Sequence, residues 1–227
     1  MELTLPNAPL AFHGALLTLV ALVPLMFAER AESRAGRLLT KPFASAGFLW
    51  FGVQMGALDT GPGQALFVGL CLAAVGDVAL IFPGRAPFLA GLVAFLLGHV
   101  GYAVAFAMAG LNLAWAGVAA ALLVPYAGLV YTDLRPKLPA DMVVPVVAYM
   151  VVITAMVVVA VGTVGAHPGL WIAPAAAFLF YLSDISVALD RFAGAGFGNR
   201  ALGLPLYYVA QLGVALTALG FLRLPPA

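Results

Sequence analysis

The sequence predicts an all-α membrane protein, a bundle of about eight transmembrane helices. Three observations predict it. AVILMFWYC residues make up 64% of the 227-residue chain and Asp, Glu, Lys and Arg only 8%, with a formal net charge of +1; soluble domains are about a quarter charged. Long apolar runs recur between short polar or Gly/Pro-rich links, each run about the length that crosses a bilayer. None of them alternates with period two, and an open sheet cannot sit in lipid. A soluble globule, a disordered chain and a nucleic-acid binder are thereby excluded.

The elements follow in order. Span one, 10–28, ends at AERAESRAGRLLTKP, and span two, 43–58, ends at DTGPGQ. Span three, 64–82, ends at PGRAP; span four, 87–109, passes into span five, 112–131, through AGLNLAW, the weakest break. TDLRPKLPAD separates span five from span six, 142–163. GAHPG precedes span seven, 169–190, and DRFAGAGFGNR precedes span eight, 202–222. Residues 1–227 are thus expected to form one integral membrane domain. The opening MELTLPN has no basic n-region, so span one is expected to stay as a span and not to be cleaved as a leader. The single cysteine, Cys71, excludes an internal disulfide and a multi-cysteine metal site.

Orientation follows from the cations. Arg30, Arg34, Arg37, Lys41, Arg85, Arg135, Lys137, Arg191 and Arg200 fall in links on one side, and only Arg223 falls on the other. That side should be cytoplasmic, which puts both termini on the non-cytoplasmic side. A multi-pass protein of the bacterial inner (plasma) membrane is the expectation.

An ionisable group inside a span costs about 2.5–3.5 kcal/mol on insertion scales, so each needs a reason. Asp77 in span three, His99 in span four and Asp184 in span seven qualify, with Asp190 at the end of span seven. Lys41, Tyr149, Tyr207, Tyr208 and Gln211 lie around them, nearly all in the cytoplasmic half of the bilayer. Agreement in depth across six helices points to one shared polar cavity. Phe88, Gly91, Phe95, His99 and Tyr102 form a single stripe along span four, and Tyr207, Tyr208 and Gln211 share a face of span eight. Plainer readings stand beside these. Asp190 with Arg191 also reads as a helix-end ion pair, Tyr149 as a packing aromatic, His99 and Gln211 as bridges between helices, and Lys41 as an interfacial anchor. Asp77 and Asp184 have no such ready alternative.

Several chemistries lack their residues. The three histidines, at 13, 99 and 167, are too far apart for a three-His zinc site; HExxH and GxSxG are absent. What remains is carboxylate chemistry supported by tyrosine, histidine and amide groups, with no metal and no cofactor required.

At these residues the chain resembles the YhhN-like lysoplasmalogenase family of small eight-span membrane proteins. The resemblance is carried by Lys41-Pro42, by Gly76-Asp77 with Leu80, and by the stripe from Phe88 to Tyr102. Pro145 with Tyr149, Ser183-Asp184, Asp190-x-Phe192 and Tyr207-Tyr208-x-Ala210-Gln211 complete it. The resemblance implies hydrolysis of the vinyl ether bond of a lysoplasmalogen to a fatty aldehyde and a glycerophospho-alcohol. Protonation of the alkene leaves an oxocarbenium ion that water captures, which needs a carboxylic acid, a carboxylate to stabilise the cation and one ordered water. On this reading Asp77 and Asp184 are the acid/base pair and Asp190 a third member. His99, Tyr149, Tyr207, Tyr208 and Gln211 orient water and glycerol hydroxyls, and Lys41 meets the phosphate. The partners are a lysophospholipid substrate and the surrounding membrane lipid. The rival reading, a proton-coupled transporter or lipid translocator, would use the same intramembrane acids; against it, the two halves of the chain show no internal repeat.

Overall fold

The computed structural model describes residues 12–225. Among them are eight α-helices and no strand: α1 His13–Arg30, α2 Arg34–Gln54, α3 Gly61–Ala79, α4 Arg85–Ala109, α5 Leu113–Leu134, α6 Val143–Ala166, α7 Ile172–Ala193 and α8 Gly196–Phe221. The first two positions of the predicted span one lie outside the described residues. All helices except α2 are long and apolar enough to cross a membrane; α2 falls short because Arg34, Arg37 and Lys41 sit in its first turns.

Local chemistry sets the boundaries. Ser33 caps α2 by accepting a hydrogen bond from Gly36 N, Thr60 caps α3 through Gly63 N, and Asn112 caps α5 through Ala114 N and Trp115 N, each supplying an acceptor to an otherwise unpaired first-turn amide. Gly110, at φ 107°, breaks the chain between α4 and α5, a conformation that favours glycine. Gly194, at φ 66°, closes α7 in the left-handed region.

Two predicted spans are corrected. Span two was expected over 43–58, but α2 starts at Arg34 and stops at Gln54. Ser33 turns the basic stretch into helix, so Lys41-Pro42 lies inside α2 instead of opening it. Span eight was expected from 202, but α8 begins at Gly196 and α7 runs on to Ala193, so only Gly194 and Ala195 of the Gly-rich link stay outside helix. Smaller shifts leave Asp77 two residues from the end of α3 and Asp184 nine from the end of α7, where five and six were expected.

Sequential helices pack as pairs, α1 with α2, α3 with α4, α5 with α6 and α7 with α8. The pairs interlock chiefly through α8, which also touches α1, α2 and α3, and through the contact of α4 with α6. In lipid there is no hydrophobic drive between helices, so small residues that permit close approach dominate such seams. A Cβ on Gly69 would lie 2.5 Å from the Tyr102 ring and 2.8 Å from Gly98 O. Thr18 Oγ1 bridges α1 and α2 by donating to Ala44 O at 3.0 Å. The outer faces are apolar, as a lipid-facing surface requires: Val20, Phe27, Trp50, Val118, Leu122 and Val151 are all exposed. α5 is the most peripheral helix, with only Ala119 and Leu134 buried.

Candidate active site

The polar residues of five helices converge on a cavity of about 510 Å³ at one end of the bundle. Asp77 and Asp184 both line it, together with Lys41, Asp190, Phe88, Phe95 and Tyr207. α3 brings Asp77 there in its last turn; α7 brings Asp184 from further inside. Arg34, Arg37, Arg191 and Arg200 border the same space, so these four predicted same-side cations do share one end of the molecule.

Asp77 is 2% exposed and well supplied with donors. Its Oδ2 accepts from Ser45 Oγ at 2.7 Å and from the Tyr207 hydroxyl at 2.7 Å. Lys41 Nζ lies 3.9 Å from Oδ1. The Tyr207 oxygen in turn accepts from Gln211 Nε2 at 2.9 Å, and Gln211 Oε1 accepts from the Tyr102 hydroxyl at 2.8 Å. Tyr102, Gln211, Tyr207 and Asp77 thus form one directed chain of donors. Satisfying every member is what makes such a buried network tolerable.

Asp184 has different company. Its Oδ2 accepts from the Tyr149 hydroxyl at 2.9 Å, and His99 Nε2 stands 3.7 Å away. His99 is 1% exposed, and neither ring nitrogen completes a hydrogen bond of ordinary geometry among the described residues. Its ring is gripped edge-on by Phe180 at 4.7 Å and Tyr149 at 5.4 Å between centroids. The whole stripe of Phe88, Gly91, Phe95, His99 and Tyr102 is buried on the inner face of α4.

Tyr208 is placed differently from Tyr207. It is fully buried, 4.8 Å from the Tyr207 ring and 6.5 Å from the Phe48 ring between centroids, and it lies behind the cavity lining. Gln211 reaches the site only through Tyr207. Asp190 is at the mouth, with Arg200 Nη1 at 3.4 Å from Oδ2; Arg191 stacks on Phe88 instead, its guanidinium 4.4 Å from the ring centroid.

Sequence reasoning passed over Ser45 and the charged rim. Ser45 lies four residues after Lys41, one helical turn along the same face, and that spacing was the available signal. Glu29, 5% exposed, is held between Arg37 at 3.6 Å and Arg200 at 3.8 Å, tying α1, α2 and α8 together at the rim. Nothing in the spacing of these three residues, up to 171 positions apart, announces the cluster.

Residues 36–218 match the YhhN family. The chain belongs to that family. The chain is 36% identical over 170 residues to lysoplasmalogenase TMEM86A of Bos taurus, covering 72% of this chain and 69% of that protein. It is 37% identical over 158 residues to lysoplasmalogenase TMEM86A of Homo sapiens, covering 67% and 64% respectively. A third relative, lysoplasmalogenase TMEM86B of Homo sapiens, is 36% identical over 177 residues, 77% of this chain and 70% of that protein. No solved structure matches significantly. This YhhN-family chain is an integral, multi-pass membrane protein, and the matched stretch runs from α2 into α8, enclosing Lys41, Asp77, His99, Tyr149, Asp184, Asp190, Tyr207, Tyr208 and Gln211.

Proposed function

We propose that this chain hydrolyses the vinyl ether bond of lysoplasmalogen-type lysolipids, releasing a fatty aldehyde and a glycerophospho-alcohol. The observation that carries the reading is the pair of carboxylates, Asp77 and Asp184, on one cavity walled by α1, α2, α3, α4, α7 and α8. The names of the relatives support the substrate class.

The chemistry asks for few parts. A carboxylic acid protonates the alkene carbon remote from the ether oxygen, and the ether-bearing carbon becomes an oxocarbenium ion. A facing carboxylate stabilises that cation and orients the water that attacks it. The hemiacetal then collapses to aldehyde and alcohol, consuming one water overall and returning the proton to the acid. Asp77 and Asp184 are the acid/base pair, with Asp190 at the mouth. His99, whose Nε2 stands 3.7 Å from Asp184 Oδ2, and Tyr149 position the water beside Asp184. Tyr207 holds Asp77 and is held by Gln211, while Tyr208 supports the Tyr207 ring from behind. Lys41 acts through Asp77 as its counter-ion as well as toward the head-group phosphate. The charged rim faces the cytoplasm, with both termini on the opposite side of a bacterial inner membrane.

The test is aldehyde release from a vinyl-ether lysolipid by purified protein, with an alkyl-ether lysolipid as control. Aldehyde from the vinyl ether alone, lost in Asp77→Asn and Asp184→Asn that still fold, is the expected result. No aldehyde from folded wild-type protein would overturn the reading, and proton flux in liposomes would then favour a transporter.

A further inference from the structure

Beside the polar cavity lies a second, apolar pocket between α4, α5, α6 and α7, lined by Leu92, Val130, Leu134, Val146, Met150 and Phe192 among others. The two spaces share four lining residues: Leu80, Phe88, Asp184 and Val187. Only Asp184 among the four is ionisable. Asp77 lines the polar cavity and not the apolar pocket.

We propose that this apolar cleft seats the hydrocarbon chain of the substrate, so that the lipid lies across the junction with its first chain carbons against Asp184. The proposal rests on the hydrolase reading and makes it specific. In a vinyl-ether lysolipid the bond to be broken sits where the polar glycerol meets the apolar chain. In the protein the corresponding boundary between polar and apolar lining is marked by Asp184. Matching one boundary to the other places the alkene at this carboxyl and the glycerophosphate among Lys41, Arg34 and Arg37 of the polar cavity.

The juxtaposition divides the work between the two acids. Asp184, facing the chain side, gives its proton to the alkene carbon, so a C–H bond forms from the alkene electron pair as the O–H bond breaks. Asp77, on the head-group side and fixed by Lys41, Ser45 and Tyr207, faces the oxocarbenium carbon. Water adds there, and its released proton restores the Asp184 carboxyl. The cleft itself encloses about 70 Å³, so it receives the first part of the chain and the remainder lies in the bilayer.

The experiment uses the full-length wild-type protein in lipid nanodiscs with a non-hydrolysable alkyl-ether lysolipid carrying a diazirine on its chain close to the glycerol. After irradiation, crosslinks are expected on peptides of α6 and α7 that contain Val146 to Ile153 and Ile185 to Phe192. Crosslinks that avoid every residue lining the cleft on α4, α5, α6 and α7, or none above a free fatty alcohol control, overturn the proposal. In parallel, Ala188→Leu, which fills the cleft, should lower kcat/KM for a vinyl-ether lysolipid about tenfold whatever its chain length, because only the first carbons enter. Wild-type kcat/KM in folded Ala188→Leu also overturns it. Aldehyde release by the wild type separates the two ideas. Labelling of the cleft without aldehyde rejects the hydrolase and keeps the chain seat, whereas aldehyde with labelling elsewhere does the reverse.

Discussion

The Tyr207 hydroxyl donates to Oδ2 of Asp77 at 2.7 Å while accepting from Gln211 at 2.9 Å. Both of its hydrogen-bonding capacities are engaged in fixing a carboxylate supplied by another helix. Tyr207→Phe removes that hydroxyl and keeps the ring, which stacks edge-on against Phe95 at 5.7 Å and Phe180 at 5.3 Å between centroids. A hydrogen bond to a charged group contributes about 1.5–3 kcal/mol. Aldehyde release by Tyr207→Phe is therefore expected to fall roughly tenfold to a hundredfold, and the detergent unfolding midpoint to fall with it, because Asp77 and Gln211 each lose a buried partner. Wild-type turnover would show that the hydroxyl is outside the machinery.

The two acids should be far more sensitive. Asp77→Asn and Asp184→Asn preserve side-chain shape and remove proton transfer, a contribution of about 10²- to 10⁴-fold. Each is expected to lose at least that much activity while eluting as the wild type does in gel filtration. Steady-state aldehyde formation checks both.

Lys41 and Asp77 form an ion pair with side chains 9% and 3% exposed. Removing one partner of such a pair strands the other, at a typical cost of about 3–5 kcal/mol. Lys41→Met should thus unfold well below the wild type. The double variant Lys41→Met/Asp77→Asn should be more stable than the sum of its parts, by a coupling readable in a thermal double-mutant cycle. Strict additivity would mean that the ammonium serves the substrate and not the carboxylate.

His99→Phe tests the buried imidazole. The phenyl ring can keep the edge-on contacts to Phe180 and Tyr149, and burying it removes two polar atoms that have no good partner. Stability is expected to hold or rise, because an unpaired buried polar group costs about 1–3 kcal/mol, while activity drops by at least tenfold. Measuring unfolding midpoint and turnover on one preparation separates the two effects.

Gly69→Ala probes the α3–α4 seam. The new methyl would meet the Tyr102 ring and the Gly98 carbonyl, and the carbonyl belongs to a helix backbone that cannot yield cheaply. Overpacking of this kind costs about 1–3 kcal/mol. It also displaces the first donor of the chain that ends at Asp77, so stability and turnover should fall together.

Much of this was readable before any coordinates, and the reasons differ by residue. Asp77 and Asp184 stand out because a carboxylate in a span has a high insertion cost, and the α4 stripe because helical periodicity survives in lipid-facing sequence as a contrast of residue size. Lys41 was misplaced at the start of a span because hydropathy hides a helix whose first turns point cations at a polar cavity. Only the Ser33 cap reveals that α2 begins at Arg34. Ser45 was silent because serine carries no insertion cost worth noticing, although its spacing from Lys41 is one turn. The Glu29, Arg37 and Arg200 rim is a product of tertiary packing alone. So is the sharing of Asp184 between a polar and an apolar space.

α5 has only Ala119 and Leu134 buried and rests mainly on α6. One side of the proposed chain seat is therefore a thin partition whose far surface is whatever amphiphile surrounds the protein. Detergent tails then act as competitors for the seat as well as solvent for the helix. Turnover in mixed micelles should follow the mole fraction of lysolipid in the micelle instead of its bulk concentration, and adding detergent at constant substrate should slow the reaction without touching a single catalytic group.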